Sequence, residues 1–173
     1  MKRALLGMAL LLGSTQAAVA GPYLGLAVGP SPALDSSAPG VEATGRAARL
    51  LGGYRFGRIG AEASVTASDM AWGNQPPDYD GRQYMLAGKY NLPLGDGFEA
   101  FGKVGILSTT VASDRESWSD TGFLIGAGFE YKLKVPIAPI SVFVHYELSR
   151  TDFEQDDWDL TSRQWMLGFT LGI

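Results

Sequence analysis

Hydrophobic and polar residues alternate with period two along nearly the whole chain from residue 21 onward, and no segment repeats its apolar positions at a helical spacing. Period two predicts β-strands, because successive side chains of a strand point to opposite faces. The alternation predicts eight strands, over 22–28, 46–56, 59–67, 82–92, 98–108, 121–133, 140–149 and 163–173. Three connections are short: Gly57–Arg58, Pro93–Gly97 and Lys134–Pro139. Four are long and polar: 29–45, 68–81, 109–120 and 150–162. Short and long connections alternate strictly, which puts every long one at the same end of the sheet. Gly, Tyr and a charged residue recur at the short turns, in Gly53–Phe56, Gly88–Leu92 and Gly128–Leu133, a weak repeat with one hairpin as its unit.

The two faces differ sharply. One parity carries Leu24, Leu26, Leu50, Tyr54, Phe56, Ile59, Val65, Tyr84, Leu86, Tyr90, Val104, Ile106, Phe123, Ile125, Phe129, Val142, Val144, Trp165, Leu167, Phe169 and Leu171, without one charge. The other carries Arg49, Arg55, Glu62, Lys89, Glu99, Lys103, Glu130, Lys132, His145 and Glu147, interleaved with glycines such as Gly53, Gly105, Gly126, Gly128 and Gly168. A soluble lipocalin-like barrel would turn the bulky face inward and leave glycines and charges in water. The opposite reading turns the bulky face to lipid. Aromatics support it: Tyr54, Phe56, Tyr90, Phe98, Phe129 and Tyr131 lie at the turn side, Trp72, Trp118, Phe153 and Trp158 at the loop side. Two aromatic girdles and one-sided long loops are features of a membrane-spanning barrel. The expected fold is an eight-stranded antiparallel up-and-down transmembrane β-barrel.

Composition agrees. Of 173 residues only 18% are charged, against about a quarter in soluble domains, and 23 are glycine. No run outside the N-terminus is long and apolar enough for a membrane helix. The first 20 residues read as a signal peptide: Lys2 and Arg3, then apolar Ala4–Leu12, then an Ala18-Val19-Ala20 cleavage site. The barrel domain is expected over 21–173, exported to the outer membrane. Losing Lys2 and Arg3 takes the formal charge from −4 to −6, unsuited to nucleic acid. With no cysteine, thiol chemistry and disulfides are excluded.

At Gly21-Pro22-Tyr23-Leu24-Gly25, Gly52-Gly53-Tyr54-Arg55-Phe56, Gly126–Leu133 and the alternating last strand, the sequence resembles the small outer-membrane β-barrel proteins of Gram-negative bacteria, the OmpA-barrel, OmpX and opacity-protein group. The resemblance spans the chain from residue 21 and implies recognition by the barrel-insertion machinery through the C-terminal strand. The family's last residue is usually Phe, where this sequence has Ile173. The resemblance implies an integral envelope protein without cofactor, serving envelope integrity or surface interaction with lipid, lipopolysaccharide or host molecules.

Eight strands enclose an interior just wide enough for side chains, so the lumen is expected to be plugged rather than to conduct as a gated channel. Buried charges must pair. Parity permits Arg49 or Arg55 with Glu62, Lys89 or Lys103 with Glu99, and Lys132 with Glu130 or Glu147. A lipid A-modifying enzyme is the alternative, since His145, Glu147 and Ser149 share one face. However, His145 and Ser149 are four residues apart, about 13 Å along a strand. The connections hold most of the carboxylates, with Asp156, Asp157 and Asp159 as weak cation-ligand candidates that lack the spacing of a calcium loop. Arg46, Arg82, Arg150 and Arg163 close the apolar parity at the loop-side strand ends. They are the candidates for lipopolysaccharide phosphates, since arginine binds phosphate bidentately.

Overall fold

The computed structural model describes residues 21–36, 41–42, 45–72, 78–112, 117–135, 138–153 and 158–173. Residues 1–20, and with them the expected signal peptide, lie outside the described residues. Ten strands are present in chain order: β1 (Gly21–Pro30), β2 (Ala33–Ser36), β3 (Val41–Glu42), β4 (Arg46–Phe56), β5 (Ile59–Trp72), β6 (Asp78–Gly95), β7 (Phe98–Ala112), β8 (Ser117–Leu133), β9 (Ile140–Phe153) and β10 (Trp158–Gly172). β1 and β4 to β10 pair in sequence order, each antiparallel to the next, and β10 pairs back onto β1. The result is a closed eight-stranded barrel without a free edge along its main wall.

The register fixes the barrel's shape. Directly paired residues lead from Gly25 through Leu51, Ser64, Met85, Leu107, Gly122 and Thr151 to Leu160. The partner of Gly25 on β10 is instead Thr170. The ladder therefore climbs ten residues per circuit (170 − 160), or about 1.25 residues per strand, which with ordinary strand spacings tilts the strands about 40° from the axis.

Most strands outrun the alternation that predicted them. β5 continues to Trp72 rather than 67, β6 runs 78–95 rather than 82–92, β7 continues to Ala112, β8 begins at Ser117, β9 continues to Phe153 and β10 begins at Trp158. The predicted connection 29–45 itself holds β2, on β10, and β3, on β5. The apolar alternation stops where lipid stops, whereas backbone pairing continues wherever a neighbouring strand offers partners. The second short connection is tighter than predicted: Pro93 belongs to β6, and only Asp96 and Gly97 turn.

Inside, glycines make room for large side chains. A Cβ on Gly53 would meet the Tyr23 ring at 2.5 Å, one on Gly128 the Phe101 ring at 2.7 Å, and one on Gly168 the Phe143 ring at 2.6 Å. Phe101, Phe143, Leu51, Met166, Ala27 and Ala47 form one buried cluster, and Met85, Ala87, Leu107 and Leu124 a second. Outside, Leu24, Leu50, Phe56, Ile59, Leu86, Val104, Ile106, Phe123, Ile125, Trp165 and Leu167 are exposed. An inward-facing apolar surface of this kind would make a soluble barrel; here it faces out.

Candidate functional site

All ten lumen residues named from parity are inward-facing, and nine of them are buried, with Lys132 half-buried at the turn-side mouth. They form two groups. In the middle of the lumen, Arg49 on β4 reaches across to Glu147 on β9 through two bonds of 2.8 Å, while its Nε donates to Thr66 at 2.7 Å. Lys103 on β7 lies 2.7 Å from the same carboxylate and 3.6 Å from Glu62, which accepts from the Tyr23 hydroxyl at 3.1 Å. Nearer the short turns, Arg55 binds Glu99 bidentately at 2.7 and 2.8 Å and donates through Nε to the Gly57 carbonyl. Lys132 shares Glu99 at 2.7 Å, and Lys89 lies 2.8 Å from Glu130 with its ammonium 4.1 Å from the Phe101 ring centre.

The geometry thus chooses other partners than those weighed from parity. Arg49 meets Glu147 and Arg55 meets Glu99 rather than Glu62; Lys89 meets Glu130 and Lys103 meets Glu147 rather than Glu99; Lys132 meets Glu99 rather than Glu130 or Glu147. Except for Lys132 and Glu99, on neighbouring β8 and β7, the pairs join strands that are not adjacent, and the tilt and stagger of the barrel decide which positions meet. Sequence reasoning passed over Tyr23, Thr66 and Asn91. All three sit on the inward parity of strands already drawn, so alternation could have found them.

His145 is not at a rim. It is buried mid-lumen, stacked on Phe143 at 5.5 Å and edge-on to Phe101 at 6.2 Å. Its Nε2 lies 3.3 Å from the Arg49 guanidinium, which can only donate, so this ring nitrogen accepts. The Glu147 carboxylate lies 3.7 Å from the same nitrogen, so the neighbours of the imidazole are the Arg49–Glu147 ion pair and two rings. Asp156 and Asp157 lie outside the described residues; Asp159 is placed on β10 opposite Asp152. Among the described residues no three His, Asp or Glu side chains converge as metal ligands.

Arg46, Arg82, Arg150 and Arg163 are all exposed on the outer face, on β4, β6, β9 and β10. Once the climb of the ladder is subtracted, their Cα positions fall within about one residue of a single height. Arg150 is 3.0 Å from Asp152. Below this ring the apolar band runs down to Phe98, Leu133 and Ile173, a height of about 25 Å, the hydrophobic thickness of an outer-membrane barrel. Tyr54 and Phe56, and Phe98 and Tyr131, pack ring to ring at its lower border, 4.4 and 4.5 Å apart. Trp72, Trp118, Phe153 and Trp158 occupy loop-side strand ends by backbone position.

Comparison with solved structures finds the same fold. Neisserial surface protein A (NspA) is 13% identical with a TM-score of 0.69, covering 88% of this chain and 97% of its own. Ail, the attachment invasion locus protein of Yersinia pestis, solved with the heparin analogue sucrose octasulfate, is 19% identical with a TM-score of 0.59, covering 89% of this chain and 99% of its own. The N-terminal barrel domain of Pseudomonas aeruginosa OprF is 14% identical with a TM-score of 0.58, covering 88% and 98%. Among curated proteins no sequence match is found. The sequence matches the outer membrane protein beta-barrel domain family over residues 4–172, so the chain belongs to that family of small outer-membrane barrels.

Proposed function

We propose that the protein is a non-enzymatic envelope component that anchors lipopolysaccharide around a sealed barrel. The observation that carries this reading is the ring of Arg46, Arg82, Arg150 and Arg163 at one height, directly above the charge-free band. At the top of a band of bilayer thickness, guanidinium groups meet the phosphates of the outer leaflet. Arginine is suited to that place because its stem lies on apolar surface while its planar head grips phosphate. Sealing is supported by the lumen, where cross-barrel ion pairs and packed Phe101, Phe143 and Met166 fill the interior.

Changing all four arginines to glutamine removes the charges and leaves the inward packing untouched. The thermal unfolding temperature of the wild-type protein should rise with added lipopolysaccharide, and that of the quadruple variant should not. Equal stabilisation of both proteins would reduce the ring to ordinary interface residues. In planar bilayers the purified protein should give no sustained, uniform conductance steps; such steps would overturn the sealed lumen. The likeness to the attachment protein of Yersinia pestis is one of fold, so surface adhesion is a separate reading. Cells displaying the protein should bind matrix proteins no better than cells lacking it, and stronger binding would favour adhesion.

A further inference from the structure

The outer face is not uniform at the height of the arginine ring. β6 brings Arg82 to that height and β9 brings Arg150, and the two strands between them bring Ser108 and Thr121, which are directly paired. All four point outward. Once the climb of the ladder is subtracted, they lie within about one residue of one height. One rung above, Thr110 and Ser119 hold their hydroxyls 3.1 Å apart. One rung below, the same two strands turn apolar, with Ile106 opposite Phe123. The upper border of the apolar band is thus marked here by hydroxyls on β7 and β8 with a guanidinium on either side. On the far side of the ring, Arg46 faces the proline that ends β1, Pro30.

Below these hydroxyls the wall is indented. A groove of about 580 Å³ is lined by Tyr84, Leu86, Ile106, Ser108, Thr121 and Phe123. Its volume is that of a ligand site, about 300–1,000 Å³. The slant of the strands sets Phe123 on β8 nearly level with Tyr84 on β6, so two aromatic rings wall the groove and β7 is its floor. Toward the turns, Gly88 and Gly102 are exposed and carry no side chain, so the wall stays low down to the middle of the apolar band. The groove therefore runs from hydrocarbon depth up to the level of Arg82 and Arg150. Its occupant must be apolar below, able to meet hydroxyls above, and anionic at both flanks.

The separation of the two cations narrows the choice. Arg82 and Arg150 stand three strand spacings apart, about 15 Å, too far to share one phosphate. A phospholipid with a single phosphodiester answers one of them. We propose that the β6–β9 face seats one molecule of the lipid A end of lipopolysaccharide, an acylated disaccharide with a phosphate at each end. One phosphate is held by Arg82 and the other by Arg150, the sugars lie over the hydroxyls of Ser108 and Thr121, and an acyl chain fills the groove between Tyr84 and Phe123. Arginine suits this task because its fork grips phosphate while its stem leans along apolar surface. Asp152 accepts from the Arg150 Nε at 3.0 Å on the loop side of the site. This inference rests on the reading that the arginine ring meets lipopolysaccharide, and it goes further in making one side of the ring a built site for a single molecule.

The test uses the purified protein folded in detergent micelles free of lipopolysaccharide. It is titrated separately with bisphosphorylated lipid A, monophosphoryl lipid A and phosphatidylglycerol, and bound lipid is counted by native mass spectrometry. One bisphosphorylated molecule per barrel should be retained, at least about tenfold more tightly than either lipid with one phosphate. Arg82→Gln with Arg150→Gln should abolish that preference, whereas Arg46→Gln with Arg163→Gln should weaken the retained molecule at most about threefold. Ser108→Phe, which fills the groove and leaves both arginines in place, should weaken it about tenfold. If that variant does not fold, the deacylated bisphosphorylated disaccharide gives the same comparison on the wild-type protein and should bind about tenfold more weakly than the acylated form. Equal retention of the bisphosphorylated and monophosphoryl lipids would overturn the proposal. So would equal losses from the two arginine pairs, an outcome that leaves the ring reading standing. Undiminished binding to the variant lacking all four arginines would overturn both. The chain has no cysteine, so Ser108→Cys adds a single thiol. Disulfide-linked dimers of that variant in nanodiscs would show that the groove receives a second copy of the chain, and the lipid site would fall.

Discussion

Glu147, like Glu99, serves two bases at once, accepting two bonds from Arg49 and one from Lys103 while 95% of its side chain is shielded from water. Among the described residues Glu62, one layer away, has only the Tyr23 hydroxyl at 3.1 Å and Lys103 at 3.6 Å. Removing a partner from a buried ion pair costs about 3–5 kcal/mol, since the remaining charge is left uncompensated. Glu147→Gln is therefore expected to destabilise by about that amount in urea unfolding from lipid vesicles, and Glu62→Gln by clearly less. The double change Arg49→Met with Glu147→Gln should cost less than the sum of the two single changes, by about 1–3 kcal/mol. Equal, small losses for Glu147→Gln and Glu62→Gln would mean that the cross-barrel contacts carry no special weight. That Arg49 and Glu147 face inward was legible from alternation alone. That they face each other was not, because β4 and β9 lie far apart round the wall and only the ten-residue stagger brings these two positions to one height.

At the scale of the strand and its turn, local chemistry is more explicit. Asp96 and Gly97 both have positive φ, 50° and 86°, between the paired residues Gly95 and Phe98. This is the two-residue hairpin for which Asp-Gly is the strongest short-range signal, since both central residues must be left-handed. Gly57, at φ 63°, opens the Gly57–Arg58 turn in the complementary form with glycine first. A Cβ on Gly97 would also meet the Lys132 carbonyl at 3.0 Å. Gly97→Ala should thus destabilise by about 1–2 kcal/mol, whereas Asp96→Gly should be close to neutral. Equal unfolding midpoints for Gly97→Ala and wild type would rule out the left-handed geometry at this turn. The turns were readable because they depend on two residues and their neighbours. The loop-side strand ends were not, because Ser108–Ala112 and Ser117–Asp120 carry no lipid-facing alternation and pair only because their strands continue side by side.

For the molecule as a whole, the register turns a list of exposed residues into depths. The apolar band begins at Leu133 and Ile173 and ends just below the arginine ring. Counted along the tilted strands, Val144 on β9 falls near its middle, whereas Ala67 on β5, opposite Arg82, falls at the height of the ring itself. Both are exposed on the same face, so local packing does not distinguish them. Depth does: an arginine at the bilayer midplane of a barrel costs about 2–4 kcal/mol, and one near the interface about 0–1 kcal/mol. Val144→Arg is accordingly expected to lower the folding free energy into lipid vesicles by the larger amount and Ala67→Arg by the smaller. In detergent micelles, where thickness adapts to the protein, the difference between the two should shrink. If Val144→Arg folds into vesicles as stably as Ala67→Arg, the band is not the hydrocarbon-spanning surface, and the arginine ring loses the membrane level that gives it a role.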